Sequence, residues 1–201
     1  MKTILNKVIL LILFLSPFSF SQSKSSITVG LFDELSEIYP DTIVDDFSKS
    51  ITIDAARGSV AAVHILVKGL NKSEVINFRV LDQKGKEAET GKWFRLIEVP
   101  VSENTGLDRA TEKFSGKINP FVIRRAPFRI YEVLNPVSSP LKADSASIAL
   151  RFEYSIDEDA KPGKYNFSIL VNCGSKDEKL DVELNIFKAV IPPIEKSNII
   201  I

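Results

Sequence analysis

Apolar and polar residues alternate along most of this chain, and the alternation is cleanest between Ser145 and Val190. There Ile148, Leu150, Phe152, Tyr154 and Ile156 interleave with Ala149, Arg151, Glu153 and Ser155. Tyr165, Phe167, Ile169, Val171 and Cys173 then interleave with Asn166, Ser168, Leu170 and Asn172, and Leu180, Val182, Leu184 and Ile186 with Asp181, Glu183 and Asn185. Successive side chains of a strand point to opposite faces, so each segment offers one apolar and one mostly polar face. This pattern predicts antiparallel sheet with one side on a core and the other in water.

The same period recurs upstream. Strands are predicted at Ser26–Phe32, Ser50–Asp54, Val60–Val67, Val75–Leu81, Trp93–Val99, Phe121–Arg125 and Phe128–Leu134. In Val60–Val67 the residues Val63, Ile65 and Val67 oppose His64, Leu66 and Lys68, which places His64 in the polar phase. Ala55–Gly58 reads as a tight corner, and Asp33–Asp46, with Pro40, as a loop. Gly69–Ser73, Asp82–Lys92 and Gly174–Glu178 read as turns or hairpin loops. Pro100–Pro120 is irregular, with Asn104-Thr105-Gly106 as its turn signal, and Asn135–Ala146 is a loop containing Pro136 and Pro140. Pro127 cannot donate to a ladder, so Ala126-Pro127 marks an edge, a bend or a crossing between sheets. Asp157–Gly163 links the first two strands of the Ser145–Val190 stretch, and Pro162-Gly163 suits the centre of a type II turn. About ten short strands at turn-punctuated spacing, with no stretch of helical period in the mature chain, predict an all-β, immunoglobulin-like antiparallel β-sandwich. Tyr165 stands where such sandwiches place a corner tyrosine, and equally where an ordinary core tyrosine would stand.

Composition adds compartment and excludes classes of partner. A chain of 201 residues that is 44% hydrophobic is enough for one domain with a real core. Its 26 basic and 26 acidic residues balance, which leaves no electrostatic footprint for nucleic acid or an anionic membrane. Lys2 and Lys7, the apolar run Val8–Leu15, the break at Ser16-Pro17 and small residues at Ser19 and Ser21 form a signal peptide over residues 1–21, cut before Gln22. The expected destination is the periplasm or the extracellular space, with no membrane association after cleavage. The sandwich is expected over 22–193. Residues 194–201, ending Ile199-Ile200-Ile201 after Ile191-Pro192-Pro193, read as a linker or the start of a further domain. Cys173 has no second cysteine to pair with and lies in phase with Val171, which predicts a buried, inert thiol.

No catalytic constellation emerges. His64, the one histidine, is mid-strand near Ser59 in sequence, and a hydrolytic triad needs serine, histidine and acid converging at a loop end. One histidine and one distant cysteine do not make a zinc site. Gly58, Gly69, Gly85 and Gly91 are isolated turn residues rather than a phosphate loop. Asp157-Glu158-Asp159 is acidic enough for calcium but lacks ordered ligand spacing, so a solvated turn is expected. Trp93, Tyr131 and Tyr39, with Arg124 and Arg125 near the second, are the candidates for a sugar-stacking surface, against the commoner use of large aromatics in core packing. The sequence therefore assigns no catalytic, cofactor or metal residue, leaves the ligand-binding residues unknown, and predicts that the chain is not itself an enzyme.

Three stretches together resemble one known domain. Ile51-Thr-Ile-Asp-Ala-Ala-Arg57-Gly58-Ser-Val-Ala-Ala-Val-His-Ile65, Lys161-Pro-Gly-Lys-Tyr165 and Phe187-Lys-Ala-Val-Ile-Pro-Pro193 are similar to the β-sandwich that precedes the catalytic barrel in secreted bacterial proteins of glycoside hydrolase family 123, the β-N-acetylgalactosaminidases. The corner after Arg57-Gly58 departs from that pattern, with Ser59 where an acid is common. The resemblance implies an accessory N-terminal module of an exported carbohydrate-active protein. Its partner would be a catalytic domain C-terminal to it, carrying the acid pair, with carbohydrate as a further partner. The other reading open at this point is a stand-alone exported carbohydrate-binding or adhesion sandwich.

Overall fold

The computed structural model describes residues 26–42, 49–88, 91–103, 113–114, 117–118, 122–174 and 176–193. The expected signal peptide, the Asn104–Gly106 turn, Phe121 and residues 194–201 lie outside the described residues. Two sheets face each other. The first has the order β1(Thr28–Asp33), β3(Val60–Lys68), β11(Ser147–Ser155), β6(Lys92–Val101) and β9(Phe128–Pro136). The second has the order β10(Leu141–Lys142), β4(Val75–Leu81), β12(Gly163–Cys173), β13(Lys176–Val190) and β2(Ser50–Arg57), with β5(Glu87–Ala88) on β4. A small hairpin, β7(Lys113–Phe114) with β8(Lys117–Ile118), stands apart. The all-β sandwich expected from the alternation is the observed fold. Among the described residues its pairs are antiparallel except one: β13 runs parallel to β2.

The core lies where the alternation put it. Ile148, Leu150 and Phe152 of β11 and Ile169, Val171 and Cys173 of β12 are buried facing each other across the sheets, with Leu180, Val182 and Leu184 of β13 beside them. A chain of rings crosses the interior: Phe78 to Trp93 (4.6 Å), Trp93 to Phe152 (4.9 Å), Phe152 to Phe167 (5.8 Å). Offset and edge contacts of this kind add to the burial of the rings.

Several local expectations are corrected. Ala55–Arg57 is not a corner: β2 continues through it, Ala55 is buried, and the turn comes at Gly58-Ser59. Residues 122–125 form no strand, and β9 begins only after Pro127, at a sheet edge where the missing N–H costs nothing. The predicted loop 135–146 holds the last residues of β9 and the short β10. Pro162-Gly163 is not a turn centre. The reversal closes four residues earlier, where Ala160 N–H donates to Asp157 O (3.2 Å), and Gly163 (φ +147°) opens β12. Nor do β11 and β12 pair, because the 156–162 link crosses from one sheet to the other. Alternation shows which face of a strand is apolar but not which strand lies beside it.

The outer face of the first sheet is not simply solvated. Ile38, Leu66, Leu96 and Ala149 form a second small core there, with Phe32 and Tyr131 packed on it. The segment after β1 folds across this face, and so β3 is buried on both sides from Ala61 to Val67. His64, expected in a polar phase, is consequently buried at 8% exposure.

Candidate functional site

Four places gather chemistry-bearing groups, and His64 is at the first. In the ladder it stands between Phe32 on β1 and Arg151 on β11. Arg151 spends its guanidinium on three partners: Nη1 on His64 Nε2 (3.2 Å), Nη2 on Glu34 (2.9 Å) and Nε on Glu153 (2.8 Å). A guanidinium only donates, so Nε2 is the acceptor and the imidazole proton sits on Nδ1. Nδ1 is buried and has no partner. Burial first and the Arg151 charge second hold the His64 pKa down at about 4, while Asp33 opposes them. A neutral imidazole capped on one nitrogen by arginine and sealed on the other is not poised to move protons. Ser59 points elsewhere, its Oγ donating to Ala56 O (2.7 Å). The structure thus brings His64 to Arg151, Glu34 and Glu153, and not to a nucleophile.

The second place holds the aromatic candidates. Trp93 is in the core, as its contacts with Phe78 and Phe152 show. Tyr131 is half-buried over the second core, with its hydroxyl 3.0 Å from Ser147 Oγ and its pKa raised mainly by burial. Tyr39 is the one that meets Arg124, contrary to the pairing with Tyr131 expected from sequence. The guanidinium lies 4.4 Å from the Tyr39 ring centre and 5.2 Å from that of Phe128, and it forms a two-point ion pair with Asp41. Tyr39 also donates to Glu37, which raises its pKa. This cluster pins the segment after β1 to the start of β9. The three aromatics therefore do not form one surface.

The third place is the outer face of the second sheet. It is a polar ladder whose members satisfy one another: Ser168 with Asp181 (2.7 Å), Asn185 with Asp54 (3.0 Å), Lys164 with Glu183 (2.8 Å) and Asn77 with Asn172 (3.3 Å). Such a face is well solvated and offers a ligand little that is unspent. Cys173 is fully buried inside this sheet, and burial pushes its pKa up to about 12. At Asp157–Asp159 the backbone makes a turn, as expected. Among the described residues no group of three histidine, cysteine or carboxylate side chains is placed to hold a metal.

The fourth place is a cleft of about 740 Å³ at the end of the sandwich where the chain crosses from β11 to β12. Val80, Tyr154, Phe167, Leu184 and Ile186 line it, and Gln83, Lys84, Lys161 and Asn166 stand on its rim. The ring planes of Tyr154 and Phe167 are 20° apart at 6.2 Å. Tyr165, 39% exposed, donates its hydroxyl to Lys161 O (2.7 Å), a tether of the corner-tyrosine kind that fixes the link against the strand. The cleft is apolar below and polar at its mouth, which is the usual character of a binding site. Sequence reading missed it because it depends on register. A faint signal was present: β12 has 11 residues against the 7 of its neighbour β4.

No family model matches the chain. A GTP cyclohydrolase FolE2 from Thermosipho africanus (strain TCF52B) is 28% identical to it over 140 residues, covering 68% of this chain and 51% of that protein. The chain thus spans about half the length of this curated relative. Among solved structures, a family 123 glycoside hydrolase from Clostridium perfringens superposes with a TM-score of 0.62 at 14% identity, over 86% of this chain and 29% of that one. That likeness shows the shared fold. The expectation that the chain is not an enzyme is corrected by these findings, since the curated relative is an enzyme and so is the structural neighbour.

Proposed function

We propose that this chain is the accessory β-sandwich module of a larger exported carbohydrate-active enzyme of the glycoside hydrolase type. The supporting observation is the fold it shares with a family 123 glycoside hydrolase, at a coverage that makes the sandwich under a third of that polypeptide. The three sequence stretches that resemble the same family's sandwich point the same way. In this reading the module packs beside a C-terminal domain that carries the catalytic acids, and residues 1–21 direct export to the periplasm or beyond.

The test is to purify the natural gene product through a tag placed behind Gln22. Its mass, its N-terminal residue and its release of nitrophenol from aryl N-acetylhexosaminides are then measured. A polypeptide much longer than 201 residues, starting at Gln22 and active on such substrates, is expected. A product of 201 residues that is inert on the whole panel overturns the reading. A second reading is favoured by the 28% identity to FolE2: the chain is part of a cyclohydrolase. GTP consumption by the same preparation, with no glycoside cleaved, would select it.

A further inference from the structure

The contacts that hold His64 neutral are ones a second proton would break. Its Nε2 accepts from Arg151 Nη1 at 3.2 Å, and its buried Nδ1 has no partner among the described residues. An imidazolium donates from both nitrogens, so protonation sets a donor against a donor and one cation against another. The described charges around the ring come from three elements. β11 brings Arg151 and Glu153, with Lys92 of β6 opposite Glu153 in the ladder. The end of β1 brings Asp33, and Glu34 follows it. Glu34 and Glu153 are both turned to Arg151, at 2.9 and 2.8 Å, and Asp33 Oδ1 accepts the amide of Leu35 (2.8 Å). Asp33 favours a charged ring, and burial and Arg151 outweigh it.

The two sides of this group are held with different firmness. Beneath the ring, Val63, Ile65 and Val67 of β3 are fully buried in the main core between β1 and β11. Across it, residues 33–42 bury one side chain, Ile38. Polar tethers do the rest: Glu34 to Arg151, Asp41 to Arg124, and Lys68 Nζ donating to the Thr42 carbonyl. The Tyr39 ring adds an edge contact to Phe128 at 5.9 Å. A segment with so little buried apolar surface opens at lower cost than the strands under it.

We propose that residues 33–42 form a strap that protonation of His64 releases, so that acid bares the small outer core of Phe32, Leu66, Leu96 and Tyr131. Arg151 couples the two events, because the guanidinium that donates to His64 also holds Glu34 of the strap. When the ring gains its proton, Arg151 loses an acceptor and meets a like charge. Lifting the strap admits water to both cations and relieves the conflict. The coupling is reciprocal, so whatever holds the strap down resists protonation of the ring.

The inference stands apart from the enzyme assignment, and its test needs no substrate. Amide exchange of the ¹⁵N-labelled 201-residue chain, processed by export, is measured at pH 7 and 5, each rate divided by its intrinsic value. The reporters are Ser36, Tyr39 and Thr42, whose amides are hydrogen-bonded within the strap. A ring freed by opening titrates near 6.5 and the covered ring at about 4, so the opening constant should rise about 20-fold from pH 7 to 5. In His64→Gln, which still accepts from Arg151 and does not titrate, the rise should be less than about threefold. The amides of Ile65 and Leu150 should stay at least about a hundredfold better protected than the strap at both pH values, which marks the opening as local. Glu34→Gln keeps the imidazole and loosens one tether; it should raise the constant several-fold at pH 7 and keep its rise toward pH 5. An equal pH dependence in His64→Gln overturns the proposal. So does strap exchange that coincides with that of Ile65 and Leu150, or an imidazole Cε1–H that titrates between pH 7 and 5 with the strap still closed.

Discussion

His64 offers a prediction with only one group to watch, because the chain has no other histidine. In the folded protein its pKa is held at about 4, against 6.5 for the free side chain. The causes are burial and the neighbouring Arg151 charge. The unfolded chain therefore binds a proton here, over the window between those values, that the folded chain refuses. This contribution to stability is complete above about pH 6.5 and is lost as pH falls toward 4. The slope is about 1.4 kcal/mol per pH unit while the unfolded imidazole is protonated and the folded one is not. Between pH 7 and 5 the loss is about 2 kcal/mol. Other groups act in the same direction at lower pH. Hydrogen bonds from Arg95, Lys176 and Lys179 hold the carboxyls of Asp144, Glu178 and Asp181 below their usual range. The measurement is therefore a difference. Urea unfolding of the native protein and of His64→Leu is followed at pH 7, 6 and 5, alongside the single imidazole Cε1–H resonance. Leucine fills the same apolar gap between Phe32 and Arg151, removes the orphaned Nδ1–H and leaves Arg151 its two carboxylates. The native protein should lose about 2 kcal/mol more than the variant between pH 7 and 5. An imidazole titrating near 6.5 in the folded protein, or identical pH dependence in the two proteins, would refute the reasoning.

Other outcomes follow from single contacts. Phe152→Ala, which empties the middle of the chain of rings, should cost about 3–5 kcal/mol in the same unfolding assay. A loss under 1 kcal/mol would mean that the rings do not carry the core. Gly58→Ala places a methyl against the carbonyl of Ile191 at a φ of +71°, and should destabilise the protein by at least about 1–2 kcal/mol. Cys173 should resist iodoacetamide at pH 8 for hours in native buffer and be alkylated within minutes in 6 M guanidinium, as read by intact mass, since burial keeps it protonated. Tyr165→Phe removes the tether to Lys161 while keeping the ring, and should speed amide exchange across 160–164 with only about 1 kcal/mol lost overall.

Alternation of residue types settled the fold class, most strand positions and the inward residues, because a strand has one period and its apolar face must be buried. It placed Cys173 inside, and it placed Trp93, Phe152 and Phe167 on strands that turned out to share one core. Partnership between strands lay beyond it. That β11 and β12 belong to different sheets, that β13 runs parallel to β2, and that Arg124 reaches Tyr39 rather than Tyr131 are decisions of tertiary packing between residues far apart in the chain. The burial of His64 was hidden for the same reason: a polar phase on a strand faces water only until another segment folds across it, and here residues 33–42 do so. The cleft is a difference in where two neighbouring strands stop, Leu81 against Gly163, and a stopping point acquires meaning only once register is fixed.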